Sequence, residues 1–320
     1  MKKIRCILSI GCALLFLFAG CGTKETPAAD GAGSEAQDAL LSVCASFYPM
    51  YDFAVKIGGE KARVTNMVPA GTEPHDWEPA AADIAGLEAA DIFVYNGAGM
   101  EHWAHDILES LQNEDLIVAE ASAGITLREG HHAHDEEEAE EEEEEEEGYD
   151  PHVWLDPLNA KRETENIKNA FASADPANAD YYEANYAKYA AEFDALNEEF
   201  KEALSACQNR DIIVAHEAFG YLCAAYELNQ VAIEGLSPDS EPDPAKMAEI
   251  IDFAQEHAVK VIFFEELVSP KVAEAVAEAV GAETRVLSPI EGLSDAEATA
   301  GGDYFSVMRQ NLEALKFALQ

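Results

Sequence analysis

Two blocks of four short, β-branched apolar runs constrain this chain more than any other feature. The first block places strands at residues 41–47, 63–68, 91–95 and 116–120, and the second at 211–215, 230–233, 259–264 and 283–287. Helical periodicity fills the intervals at 80–90, 100–113, 219–228, 244–257 and 269–280. Alternating strand and helix demands parallel pairing through right-handed crossovers. The expected fold is therefore α/β with two lobes, each a four-stranded parallel sheet with flanking helices.

Between the blocks, Tyr182, Tyr186, Tyr189, Phe193, Leu196, Phe200 and Leu204 recur at steps of three and four, with Pro176 near the start and charged residues on the other face. About 28 residues at 1.5 Å each make a rod on the order of 40 Å long. One long rigid helix, 176–208, is expected to join a lobe at 40–175 to a second at 209–320. A surface helix within one domain is the plainer reading, but this stretch exceeds the usual helix length and falls between the two strand sets.

The N-terminus reads as an export signal spanning 1–20. Lys2, Lys3 and Arg5 precede an apolar run from Ile7 to Phe18, too short to span a bilayer. Leu17-Phe18-Ala19-Gly20-Cys21 resembles a bacterial lipobox, which implies cleavage before Cys21 and lipidation of its sulfur; an ordinary signal peptide cut nearby is the alternative. Residues 21–39 have too little apolar surface to fold and suit a flexible tether. The protein is expected outside the cytoplasm, either anchored to the outer face of the cytoplasmic membrane or in the periplasm.

The formal net charge of −43 excludes nucleic acid and anionic headgroups as partners and favours cations. Of the six cysteines, Cys44, Cys207 and Cys223 remain after the signal and Cys21 are set aside. They lack CxxC spacing, so buried thiols rather than a metal cage are expected.

Three histidine motifs fall just beyond strands: EPHDWEP at His75, DPHVWLDP at His152 and AHEAFGYL at His216. Three neutral imidazoles suit a borderline-soft divalent ion, above all zinc. Pro74 and Pro79, and Pro151 and Pro157, stiffen the turns that aim the first two rings. Glu291 in SPIEGLS obeys the same positional rule, and open α/β sheets bind ligands at the carboxyl ends of their strands. His75, His152, His216 and Glu291 would close a tetrahedron around Zn(II) in the cleft between lobes, with a net charge of about +1. Glu265, Asp76 and a water molecule compete with Glu291 for the fourth place.

His102 and His105 on a helix, and His257 at a helix end, lack such settings. His131, His132 and His134 open an acidic run through Glu147, an expected disordered loop at 131–148 that adds weak accessory cation binding.

EPHDWEP, DPHVWLDP, HEAFGYL, FFEELVSPK and SPIEGLS together resemble the solute-binding lipoproteins of bacterial zinc-uptake ABC transporters, over 40–319. The resemblance implies two α/β lobes joined by a rigid helix and a His- and acid-rich loop before the second histidine. It also implies zinc ligation by His75, His152 and His216, with Glu291 in the fourth position used by one branch. This loop departs from the family in being mainly glutamate. Manganese-importing relatives carry glutamate where His216 stands and aspartate where Glu291 stands, so a manganese carrier is the nearest alternative. A zinc hydrolase would leave the fourth position open, yet no HExxH spacing is present; a surface adhesin is compatible with an anchored acidic chain, but no residue argues for it. The expected function is capture of Zn(II) by a monomer that is not an enzyme, and delivery to a membrane permease. The chain has nothing resembling a phosphate-binding loop, so another polypeptide must supply the energy.

Overall fold

Each strand block forms its own parallel sheet in the computed structural model, which describes residues 40–130, 148–238 and 244–320. The first contains β1 (Leu41–Ala45), β2 (Ala62–Asn66), β3 (Ile92–Tyr95) and β4 (Ile117–Glu120) in the order β2-β1-β3-β4. The second repeats that order as β6-β5-β7-β8, from β5 (Asp211–Val214), β6 (Asn229–Ala232), β7 (Val261–Phe264) and β8 (Glu283–Val286). Register places Val43 opposite both Val64 and Ile92, and Ile213 opposite both Val231 and Ile262. Successive residues of the central strands, which point to opposite faces, are both buried, as at Val43 and Cys44 and at Ile212 and Ile213, so these strands are covered on two sides.

In the first half, α1 (Tyr48–Gly58), α2 (Ala81–Glu88) and α3 (Ala104–Ser110) lie between strands, and α4 (Pro157–Ala174) follows the DPHVWLDP motif. The helix expected at 100–113 is shorter because its first residues are taken up in turns, closed by Met100 N–H on the Gly97 carbonyl and Ala104 N–H on the Glu101 carbonyl, and Leu111 is extended. A turn of 3-10 helix, Pro176–Asn178, leads into α5 (Ala179–Ser205), whose 27 residues match the expected rod. In the second half come α6 (Gly220–Tyr226), α7 (Pro244–Glu256), α8 (Lys271–Val280), α9 (Asp295–Ala300) and α10 (Tyr304–Leu319).

Helix α5 packs on α1 and α4 from the first half and on α6 and α10 from the second. Phe53 of α1, Phe193 of α5 and Tyr304 of α10 meet edge-on or tilted, with ring centroids 5.1 to 5.7 Å apart. These rings belong to one buried apolar cluster that also takes in Val43, Trp154, Val214 and Phe263, so the two sheets share a core. Smaller clusters cover the opposite faces, around Phe93 and Leu87 in one sheet and Ile262 and Val276 in the other. Residues Leu40–Gln320 form a single compact unit. Cys44, Cys207 and Cys223 are free and buried in it, as expected. Among the described residues, no helix is long and apolar enough to cross a membrane.

In each sheet the chain passes from the central strand to one neighbour and then crosses to its other side, from β1 to β2 to β3 and from β5 to β6 to β7, so each sheet has a topological switch point. The crevice beyond the strand ends at such a point is where an open α/β sheet holds a ligand.

Candidate metal centre

All four sequence-predicted donors meet at that crevice. His75 follows β2, His152 follows β4, His216 follows β5 and Glu291 follows β8, and one ligand atom from each lies within 4.8 Å of every other. The imidazole centroids are 4.8 to 5.2 Å apart.

A turn closed by Trp77 N–H donating to the Pro74 carbonyl at 3.2 Å carries His75. The Glu73 carboxylate accepts the His75 N–H at 3.0 Å, and burial raises the Glu73 pKa to about 7 despite that bond. Asp150 fixes His152 twice, accepting its backbone N–H at 3.0 Å and facing its Nδ1 at 2.8 Å. A proton on Nδ1 shared with Asp150 leaves the Nε2 lone pair free for a cation. His216 uses the opposite nitrogen. Its Nε2–H donates to the Leu236 carbonyl at 2.7 Å, so Nδ1 is presented to the centre.

Glu291 stands on a strained turn. Ile290 has φ 62°, a rare value for a β-branched residue, and Trp154 Nε1–H holds the preceding Pro289 carbonyl at 2.7 Å. Glu291 Oε1 thereby reaches 3.0 Å from His152 Nε2, 3.2 Å from His75 Nε2 and 4.0 Å from His216 Nδ1. His75 Nε2 and His152 Nε2 are 3.2 Å apart. A tetrahedral zinc with bonds of about 2.0 Å has donor-to-donor edges of about 3.3 Å. Three of the edges already have nearly that length, while His216 Nδ1 stands farther off, 4.0 Å from Glu291 Oε1.

The electrostatics suit a cation among these four side chains. His216 Nδ1 and Glu291 Oε2 are buried polar atoms without hydrogen-bond partners. Burial opposes the Glu291 charge, but His75, His216 and His152 outweigh it and hold its carboxyl well below the usual range. Burial lowers the His75 pKa against the pull of Glu291. For His216, burial is overcome by Glu291, Glu265 and the Leu236 carbonyl, which push the pKa up to about 10. Glu291, His152 and His216 are sealed, while the His75 side chain keeps 11% exposure.

Of the competitors for the fourth place, Asp76 is exposed, whereas Glu265 is buried with an oxygen 3.2 Å from His216 Nδ1. Sequence patterns did not reveal Asp150, Glu73 or Leu236 as orienting partners; a carboxylate two residues before each of the first two histidines was the available sign. His102 and His105 lie away from the centre and more than half exposed, and His257 pairs with Asp211 at 2.6 Å. Cys21, His131, His132 and His134 lie outside the described residues.

The chain as a whole is similar to known proteins. The high-affinity zinc uptake system protein ZnuA of Bacillus subtilis (strain 168) is 44% identical over 308 residues, covering 96% of this chain and 95% of that protein. The zinc-binding lipoprotein AdcA of Streptococcus pneumoniae serotype 4 is 36% identical over 322 residues, covering 99% of this chain; the chain spans 61% of that relative's length. The crystal structure of the Zn(II)-bound ZnuA-like domain of Streptococcus pneumoniae AdcA superposes with a TM-score of 0.75 at 34% identity, covering 88% of this chain and 99% of that one. The family described as zinc-uptake complex component A, periplasmic, matches residues 43–318. That match runs from within β1 almost to the end of α10, taking in both sheets and all four converging donors, and the chain belongs to the family of the zinc-uptake complex component A.

Proposed function

We propose that the protein captures Zn(II) outside the cytoplasm and delivers it to the membrane permease of an ABC importer. The observation that carries this reading is the meeting of His75, His152, His216 and Glu291 within 4.8 Å of one another, with three of the edges close to those of a zinc tetrahedron. Three imidazoles suit zinc better than the harder manganese ion. Glu291 fills the position that a hydrolytic zinc needs open for water, so the protein binds and releases rather than catalyses. A lipid on Cys21 and a tether over 21–39 would hold a monomer to the membrane surface. Lobes at 40–175 and 209–320 would exchange the ion by small movements about the helix at 176–208, and the acidic loop would gather cations weakly.

Elemental analysis of the purified chain before and after chelation tests the reading. One tightly held zinc per chain, restored by added Zn(II) in preference to Mn(II), supports it. A preference for manganese, or turnover of an ester or peptide, overturns it.

A further inference from the structure

Tyr221 lies on α6, five residues beyond His216, and only 4% of it is exposed. Its hydroxyl reaches across to the first half of the protein. It accepts the Arg128 backbone N–H at 3.0 Å and donates to the Asp150 carbonyl at 3.0 Å.

Arg128 and Asp150 belong to the two sides of a short antiparallel ladder. Asp150 N–H donates to the Arg128 carbonyl at 2.9 Å, Glu129 bridges Tyr149, and Gly130 N–H donates to the Gly148 carbonyl at 2.8 Å. One phenol from the second half therefore ties both sides of a ladder in the first. The Arg128 guanidinium, 5.9 Å from the Tyr221 ring centroid, covers the same contact. Gly220 makes the approach possible, because a Cβ there would collide with the Asp150 carboxylate.

The ladder bears on two of the four donors. Asp150 orients His152 through Nδ1 and its backbone N–H. Gly130 packs so closely on Leu236 that a Cβ would clash with its side chain, and the Leu236 carbonyl accepts the hydrogen bond from His216 Nε2–H. Partners that aim a metal-binding imidazole control metal affinity through its orientation. Here one partner, Asp150, belongs to the ladder and the other, Leu236, packs against its Gly130, and a third group, the Tyr221 hydroxyl, fixes that ladder between the two halves.

We propose that Tyr221 is a positioning residue for the metal: its hydroxyl clasps the two halves together behind His152 and His216 and so governs how fast the ion leaves. The inference rests on the function proposed above. Helix α6 supplies its own control, since Tyr226 at the far end of the helix also buries a hydroxyl, bonded at 3.3 Å to Asn197 and remote from the donors.

The test uses the full chain and Zn(II), with release followed by transfer to an excess of coloured chelator and coordination read from the Co(II) spectrum. Uptake of one zinc by the unaltered protein is measured first, and its failure would count against the proposed function rather than the clasp. Tyr221→Phe is expected to keep one zinc per chain and the unaltered cobalt spectrum while releasing zinc about 3- to 10-fold faster, the loss matching one or two hydrogen bonds. Tyr226→Phe is expected to release at the unaltered rate. Asp150→Asn should also accelerate release, and its combination with Tyr221→Phe should fall short of the product of the two effects, because both act through the aim of His152. Release from Tyr221→Phe at the unaltered rate, or equal acceleration by Tyr226→Phe, overturns the proposal.

Discussion

His152 Nε2 and Glu291 Oε1 lie 3.0 Å apart although 139 residues separate them, and neither side chain is exposed. A carboxylate so deep in the protein needs a positive partner, and one metal ion shared with three imidazoles would supply it. Glu291→Ala removes one vertex and leaves three nitrogens. The variant is expected to bind zinc at least tenfold more weakly and to change the Co(II) absorption bands as water enters the coordination sphere. An unchanged cobalt spectrum would show that Glu291 is not a ligand and would direct attention to Glu265.

Protons compete with zinc for the same lone pairs. With ordinary imidazole pKa values of about 6.5 as the reference, zinc affinity is expected to fall steeply between about pH 6 and 5, with more than one proton taken up per zinc lost. Glu291, Glu265 and the Leu236 carbonyl favour a proton on His216, which extends this competition above neutrality. Competition with a chromophoric chelator from pH 5 to 8 measures the slope. An affinity flat between pH 7 and 5 is incompatible with three histidine donors.

The strand blocks, the rod and the four residues that converge at the crevice were legible because each leaves a side-chain pattern: β-branched runs, an aromatic stripe, and histidines or a glutamate just beyond strands, two of them framed by proline. Helices α1, α4 and α10 did not stand out. The buried positions of α4 include small or polar residues such as Ala160, Glu163, Thr164 and Ala170, which make a faint stripe beside the tyrosines of α5. The Leu236 carbonyl was beyond reach for another reason. A backbone acceptor carries no residue signature, and only the return of the chain after β6 brings it to His216. Asp150 is visible in the motif, but its part depends on a ring orientation that spacing alone does not fix.

Glu163 makes a different claim on the protein. It is completely buried on α4 and neither carboxylate oxygen has a hydrogen-bond partner. Burial, reinforced by Glu101 and Asp156, raises its pKa well above the ordinary 4.5, and burial raises Glu101 to about 7 against bonds from Ser46, Asn96 and Gly97. The folded state thus holds protons that the unfolded chain has released. Their stabilising contribution is complete below about pH 4.5 and is lost as pH rises through 7 and, for Glu163, beyond. Glu163→Gln is expected to make the metal-free protein more stable at pH 8, by about 1 to 3 kcal/mol, and to flatten its stability between pH 5 and 8. Urea unfolding at the two pH values measures both effects; a variant less stable than the parent at pH 8 would reveal a cationic partner for the carboxylate.

The acidic run can be separated from the metal centre by excision. Gly130 and Gly148 are already hydrogen-bonded at 2.8 Å, so removing residues 131–147 and joining the ends through two or three glycines leaves the flanking ladder intact. None of the four converging donors is removed. If that set forms the tight site, calorimetry on the excised protein should retain one tight zinc and lose only weak, salt-sensitive cation binding, since dense carboxylates attract cations through a field that salt screens. Disappearance of the tight event would place the principal ligands in the excised run and remove the main support for His75, His152, His216 and Glu291 as the zinc site.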